Sequence, residues 1–191
     1  MPNPAELHPE SVELPSPETH EAEVLDSADV PEDLVRCVSF SFLGFDTHGP
    51  NYQSHLHRLQ EAMGVVAKLL IALDDTPHPH LMNTMLSEHT HILMVSDFCR
   101  TPNLNLNHGR DHHPNNSALV ISPRFRGGMS FGRTDAEQLL PADAKAFSDG
   151  ARPIAPPDLL ATFLHAFDID PRPYLRDGEV VPELLRPRAA R

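Results

Sequence analysis

Hydrophobic and polar residues follow each other along the chain in patterns that predict three strands and two principal helices. Apolar, β-branched runs over 34–46, 90–97 and 117–122 are typical of buried strands. Between the first two, residues 51–75 repeat apolar side chains at steps of three and four, which predicts an amphipathic helix. Residues 156–171 predict a second helix, which a pair of prolines opens and a further proline ends.

The order of these elements is strand, helix, strand, loop, strand, helix, which predicts an α/β fold with at least partly parallel strands. Ligand sites in such sheets lie beyond the carboxyl ends of the strands. Asp46 and His48 follow the first predicted strand, and Asp97 ends the second. If the two strands are parallel neighbours, we expect these side chains to lie close together.

Charge is distributed unevenly along the chain, whose net charge is -12. Residues 1–35 hold ten acidic and no basic residues, which leaves 17 acids against 15 bases in the remainder. A nearly neutral body lacks the basic face that phosphate contacts require, so nucleic-acid binding is not expected. The segment 1–33 also holds six prolines and predicts a disordered acidic tail. We expect a folded domain over 34–185 and a frayed basic end over 186–191.

Sequence features also bear on where the protein resides. No apolar run reaches the ~18 residues of a membrane helix. The first residues lack the basic and apolar regions of a secretory signal. Cys37 and Cys99 are too few for a disulfide framework and are expected to be reduced thiols. The sequence therefore predicts a soluble, cytoplasmic protein with no membrane contact.

Carboxylate and imidazole groups occur in three separate segments that could share one metal ion. Asp46 and His48 stand two residues apart, and His112 offers an imidazole within 96–121, a stretch dense in charged and polar residues. Asp97 needs a cation at the end of an apolar strand, either a metal or Arg100 in a structural ion pair. A shared metal site and a solvated, charged loop both remain open on this pattern alone.

Two further side chains of the dense stretch extend this interpretation. Asp111 is placed either to orient a ligand histidine or to pair with Arg110. Arg100 and Arg110 carry guanidinium groups, which recognise phosphate or sulfate through paired hydrogen bonds. A metal beside arginine suits the hydrolysis of an anionic ester.

Five ordered motifs give the chain a resemblance to a known family. They are "LGFDTHGPN", "VSDFCRTP", "GRDHHPNNSALVI", "RGGMSFGRTD" and "PPDLLATFLHAFDIDP". In this order they resemble the bacterial family called domain of unknown function 1501, which is similar to the alkaline phosphatase and sulfatase superfamily. The resemblance covers about residues 35–185 and implies an alkaline-phosphatase-like fold, a mostly parallel sheet flanked by helices.

The same resemblance implies a divalent metal, either zinc, manganese, calcium or magnesium, bound by side chains from loops after strands. The implied ligands are Asp46, His48, Asp97 and His112. Arg100 and Arg110 would lie near the site and act on the substrate, a small anionic ester. Asp111 would support the ligands, and so would His113, which stands where the family usually has an aromatic residue.

The comparison with the family pattern also leads us to expect that the N-terminal half of the family fold is missing. That half carries a metal-binding segment and, in superfamily enzymes, the nucleophile. We therefore expect a phosphate or sulfate ester hydrolase-like domain whose missing half comes from a partner chain. The alternative is a truncated, non-catalytic relative that acts as a metal-binding or protein-interaction module. A third interpretation is a structural remnant without a ligand.

Overall fold

The computed structural model describes residues 37–142, 145–147 and 150–187. The predicted acidic tail over 1–33 and the last four residues of the predicted basic end lie outside the described residues. The chain divides into two units, Met1–Phe42 and Leu43–Arg191. In the described part of the first unit, the rings of Phe40 and Phe42 meet edge to face, with centroids 5.4 Å apart.

The strand predicted over 34–46 does not form in residues 37–46, so this prediction is wrong for the described part of the run. Val38 is 73% exposed, and Phe40 and Leu43 are exposed as well. β-propensity expresses packing against neighbouring strands, and a run without a paired neighbour does not realise it. Gly44, at φ +87°, also turns the chain away from an extended path.

The long amphipathic helix is confirmed as α1, Asn51–Asp75. Ala62 and Val66 are buried on its inner side. Leu56, Leu59 and Met63, which belong to the predicted apolar stripe, remain 39–46% exposed. The three-to-four-residue period therefore predicts the helix correctly, although the described chain covers only part of its apolar face.

The described strands form three antiparallel pairs. Strand β1, Ile92–Val95, pairs with β4, Ala118–Ile121, so that Ile92 lies opposite Ile121. Inside this pair, β2, Cys99–Arg100, pairs with β3, His112–His113. Strands β5, Lys145–Phe147, and β6, Gly150–Arg152, form the third pair.

The antiparallel pairing of β1 and β4 differs from the parallel arrangement that the sequence pattern suggests. Parallel strands need a crossover connection, usually a helix, whereas a returning loop joins antiparallel strands. Residues 96–117 make such a returning loop with its own short β2–β3 ladder. No parallel pair occurs in the parts of the chain that the structure describes, and the alkaline-phosphatase-like sheet remains a prediction.

The second predicted helix is confirmed as α2, Pro156–Ala166, and it carries the main buried cluster. On α2 and packed against it, the buried side chains are Phe125, Asp158, Ala161, Thr162, Ala166 and Val181. The Thr162 hydroxyl donates to the Asp158 carbonyl at 2.7 Å and accepts from the Val181 N–H at 2.9 Å. These bonds tie the C-terminal segment to the helix.

Short 3-10 helices occur at Leu86–Glu88 and at Pro182–Leu184. Residues 126–142 contain an isolated β-bridge, from Thr134 to Pro141. In the described residues, neither α1 nor α2 combines the length and apolar character needed to cross a bilayer.

Candidate metal centre

The hairpin between β2 and β3 organises the dense polar stretch. Its register places Arg100 opposite His112. Asn105 shapes the connecting loop, because its side-chain oxygen accepts the N–H groups of Asn107 and Gly109, both at 2.9 Å. The Asn105 N–H in turn donates to the Gly109 carbonyl at 2.8 Å. A single asparagine thus satisfies several of the loop's backbone groups locally.

This loop docks on the segment that follows Phe45. The Arg110 N–H donates to the Thr47 carbonyl at 2.9 Å, and the Asn51 N–H donates to the His108 carbonyl at 3.0 Å. Gly109 permits the contact, because a Cβ there would lie 2.1 Å from the carbonyl carbon and oxygen of His48. Only a residue without a side chain allows the two backbones to approach this closely.

Docking brings three candidate ligands together: Asp46, His48 and His112. One ligand atom from each lies within 4.8 Å of the others. His48 Nε2 lies 3.0 Å from His112 Nε2 and 3.2 Å from Asp46 Oδ1. All three residues are exposed, so an ion and a further ligand have access from solvent.

Asp111 determines how His48 presents its ring. Asp111 Oδ1 lies 2.9 Å from His48 Nδ1 and accepts from Asn105 Nδ2 at 2.9 Å. The bond from Asn105, then that from His48, lowers the pKa of Asp111, so its carboxylate is ionised and holds a proton on Nδ1. The neutral ring then carries its lone pair on Nε2, the atom that faces the other two ligands.

The second imidazole is held by an aromatic contact. The ring of His112 stacks on Phe98 with centroids 3.8 Å apart and an interplanar angle of 28°. The Arg100 guanidinium carbon lies 5.3 Å from the centroid of the same Phe98 ring. Phe98 therefore positions one candidate ligand and the neighbouring cation together.

Arg100 is the best-anchored side chain of the site, with only 12% of its side chain exposed. Its Nη2 donates to the Phe45 carbonyl at 2.9 Å and to Asp46 Oδ1 at 2.8 Å. Its Nη1 donates to the Arg110 carbonyl at 3.1 Å and lies 3.2 Å from His48 Nε2. The hydrogen bond from Arg100 lowers the pKa of Asp46 against the opposing effect of desolvation, and the positive charge of Arg100 lowers it further.

The donor set fits a borderline divalent cation. Two imidazole nitrogens and a carboxylate oxygen suit zinc or manganese, and Asp111 supplies the carboxylate–histidine support seen behind metal ligands. Arg100 works against the fit, because it pairs with Asp46 Oδ1 and its Nη1 also lies within hydrogen-bond distance of His48 Nε2. Asp46 Oδ2, however, has no hydrogen-bond partner among the described residues, and the Asp46 side chain is 78% exposed. The carboxylate therefore retains an open oxygen.

The family model described as Protein of unknown function (DUF1501) matches residues 9–179. The chain is a member of DUF1501. Neither a curated protein nor a solved structure matches it significantly. The DUF1501 match begins inside the predicted acidic tail, and the likeness to alkaline phosphatases and sulfatases remains a prediction from the motifs.

The other residues predicted for the DUF1501 site lie apart from the three ligands or have partners of their own. Asp97 is exposed, and its Oδ1 accepts the Phe98 N–H at 3.1 Å, so the structure does not bring it into the group. Arg110 Nη1 donates to the carbonyls of Thr101 and Pro102 and so stabilises the loop. His113 Nε2 donates to the Gln138 carbonyl at 3.0 Å.

Two contributors were not identified from the sequence. Asn105 lies in the repetitive "NLNLN", where nothing marks the middle asparagine as the one that shapes the loop. Phe98 lies beside the predicted ligand Asp97, and a lone aromatic residue in a loop gives no signal of ring stacking. Only Asp111 shows the supporting role that the sequence predicted, through its contact with His48.

Proposed function

We propose that this DUF1501 chain binds a divalent metal ion through Asp46, His48 and His112 and presents it to a small anionic ester. The observation that carries the proposal is the convergence of three ligand atoms within 4.8 Å. They come from two segments more than sixty residues apart, which the Gly109 contact joins.

Each neighbouring residue has a separate task in this proposal. Asp111 keeps the His48 proton on Nδ1 and leaves Nε2 for the metal, while Phe98 orients the His112 ring. Arg100 keeps Asp46 ionised and adds a positive charge for an anionic ligand. A bound divalent metal supplies Lewis-acid polarisation of an ester oxygen. The imidazole pair favours zinc or manganese over calcium or magnesium.

The more specific proposal is hydrolysis of a phosphate or sulfate ester, with a partner chain completing the site. The family resemblance supports it, together with the placement of Arg100 beside the ligands. Purified protein should be assayed on an aryl phosphate and an aryl sulfate, with each candidate metal added in turn. Turnover that disappears in the His48→Ala variant would attribute the reaction to this site.

Metal binding itself is tested by titrating zinc and manganese into metal-free protein by calorimetry. We expect one site per chain, and loss of at least about tenfold in affinity for His112→Ala, because one of three protein ligands is removed. His113→Ala is the matched control, since His113 is the adjacent histidine but bonds to Gln138. Equal effects of both variants, or no saturable binding, would exclude this centre.

A non-catalytic role is the second candidate, and the contact between Arg100 and Asp46 favours it. That pair satisfies one oxygen of Asp46 without a metal, so the same polar cluster is stable as a surface of mixed charge. Absence of both saturable metal binding and turnover would favour a metal-free interaction surface, whereas saturable metal binding without turnover on either ester class would favour a metal-binding module.

A further inference from the structure

A second cluster of charged side chains lies outside the metal centre, where the chain pairs residues 124–126 with 184–186. The Arg126 N–H donates to the Leu184 carbonyl at 2.9 Å, and the Arg186 N–H donates to the Arg124 carbonyl at 2.8 Å. Phe125, bridged to Leu185, is buried and lies near Phe163, with ring centroids 6.2 Å apart. Extended residues alternate sides, so Arg124 and Arg126 share the face opposite Phe125.

Backbone carbonyls anchor two of these arginines. Arg126 Nε donates to the Leu185 carbonyl at 3.0 Å, and Arg186 Nε donates to the Phe125 carbonyl at 2.9 Å. Each bond uses one of the five N–H groups of a guanidinium and fixes its stem. Two arginines are thus held in position while their terminal nitrogens remain able to donate further hydrogen bonds.

These side chains line a cleft of about 300 Å³ together with Arg124 and His165. The remaining lining residues are apolar, and no carboxylate is among them: Ala166, Pro182, Leu185 and Pro187. Arg124 Nη2 lies 3.8 Å from Asp168 Oδ1, a distant contact between partly exposed groups. Arg126 and Arg186 make no ion pair with any residue that the structure describes.

Three arginines around one small cleft concentrate positive charge there, which favours the binding of an anion. Charge-assisted bonds from guanidinium to phosphate or sulfate are roughly twice as strong as neutral hydrogen bonds, and they are frequently paired. The volume is at the lower end of the range for small-molecule sites, which suits a tetrahedral oxyanion or a compact ester of one.

We propose that the cleft of Arg124, Arg126, His165 and Arg186 is a binding site for a small phosphate- or sulfate-bearing anion. It shares no residue with the metal centre and does not depend on the function proposed for that centre. Inorganic phosphate and a small phosphate monoester present the same tetrahedral group, and both are therefore probes of the site.

The first experiment uses the wild-type chain. Sodium phosphate, sodium sulfate, glycerol phosphate and sodium chloride at equal ionic strength are titrated while arginine side-chain N–H resonances are recorded by NMR. We expect saturable shifts of arginine resonances with the tetrahedral anions and none with chloride. Tighter binding of glycerol phosphate would identify an ester as the preferred source, and tighter binding of phosphate would identify the free ion.

The second experiment compares Arg186→Gln with Arg176→Gln, which removes the same charge from an exposed arginine outside the cleft. We expect Arg186→Gln to weaken phosphate binding about tenfold and Arg176→Gln to leave it within about twofold. Circular dichroism of both variants verifies the fold, and Arg126→Gln replaces Arg186→Gln if the latter unfolds. An equal loss in the cleft and control variants, or shifts no larger than those with chloride, would overturn the proposal.

Discussion

The Asp46 carboxylate and the Asp158 carboxylate each pair with an arginine, yet their surroundings differ. Asp158 is fully buried at the start of α2, where Arg152 donates to both of its oxygens. It also accepts from the Ala155 N–H at 2.8 Å and the Glu179 N–H at 2.9 Å. Asp46 is largely exposed and has one arginine bond and a nearby imidazole.

This difference separates a structural carboxylate from one that is available to a ligand. Burial tends to raise the pKa of Asp158, but bonds from Arg152, Ala155 and Glu179 outweigh burial and lower it. A carboxylate with all its lone pairs engaged stabilises the fold and has no capacity for a metal. Asp46 retains an oxygen without a described partner, which is what a ligand residue needs.

The largest expected effect comes from removing the structural carboxylate. Asp158→Ala removes the buried carboxylate that accepts hydrogen bonds from Arg152 and from two backbone N–H groups, and we expect a loss of about 3 kcal/mol in the free energy of unfolding. Urea denaturation measures it. Asp97→Ala, at an exposed acid outside the metal group, is the control and should change stability by less than about 0.5 kcal/mol. Comparable losses of stability in the two variants would show that the buried Asp158 carboxylate contributes no more than an exposed acid.

Gly109→Ala should separate the two halves of the metal centre. The added methyl group meets the His48 carbonyl, which is backbone and cannot move aside, so we expect a destabilisation of about 2 kcal/mol. Metal affinity should fall as well, because the loop that carries His112 is displaced. Gly64→Ala is the control, since a Cβ there meets nothing within 4 Å. Unchanged metal affinity in Gly109→Ala would contradict the docking role.

Asp111→Asn should weaken metal binding while it leaves the fold intact. Asparagine still accepts the His48 proton but lacks the charge that strengthens the ligand, so we expect about a tenfold loss of affinity. Calorimetric titration with zinc gives the metal affinity, and urea denaturation of the metal-free protein gives the free energy of unfolding. A stability loss as large as that of Asp158→Ala would show that this exposed cluster is structural.

The smallest expected effect is a pH dependence of the free energy of unfolding, which originates in packing near α2 and not in the metal centre. Desolvation lowers the pKa of His91, which lies against Phe167 with ring centroids 4.1 Å apart. His91 therefore binds a proton less readily in the folded state than in the unfolded state. Its contribution to stability is present above the unfolded pKa of about 6.5 and is lost as pH falls below it.

The test compares urea midpoints at about pH 5 and about pH 8 for wild type and His91→Gln. The wild-type midpoint should be lower at the acidic pH, and the variant should show a smaller difference. His57→Gln, at a histidine on the exposed side of α1 paired with Glu61, is the matched control. A pH difference unchanged by His91→Gln would assign the dependence to other groups.

Local sequence patterns predicted the helices and strands whose own residues favour that conformation. The three-to-four-residue period over 51–75 and the proline pair before Asp158 gave both helices, and the apolar runs near Ile92 and Ala118 gave the paired strands. The direction of pairing could not be read in this way, because it depends on the path of the 96–117 loop. The run over 34–46 has strong β-propensity, yet propensity alone does not supply a neighbouring strand.

The candidate site was predictable at the level of ligand chemistry. Asp46, His48 and His112 stand out by residue type, and the structure brings them together. Asp97 carries the same carboxylate group as Asp46. It was placed near the other ligands on the assumption that the strand before it runs parallel to its neighbour, whereas β1 pairs with an antiparallel strand. Asn105 acts through backbone geometry, which residue type and spacing do not reveal.

The ladder between β2 and β3 consists of only two residue pairs, Cys99 with His113 and Arg100 with His112. So short a ladder opens at a lower free-energy cost than the buried cluster around α2. Backbone amides of the hairpin should therefore exchange with deuterium well before those of α2. On warming, the chain would lose the arrangement of Asp46, His48 and His112 while most of its helical circular dichroism persists.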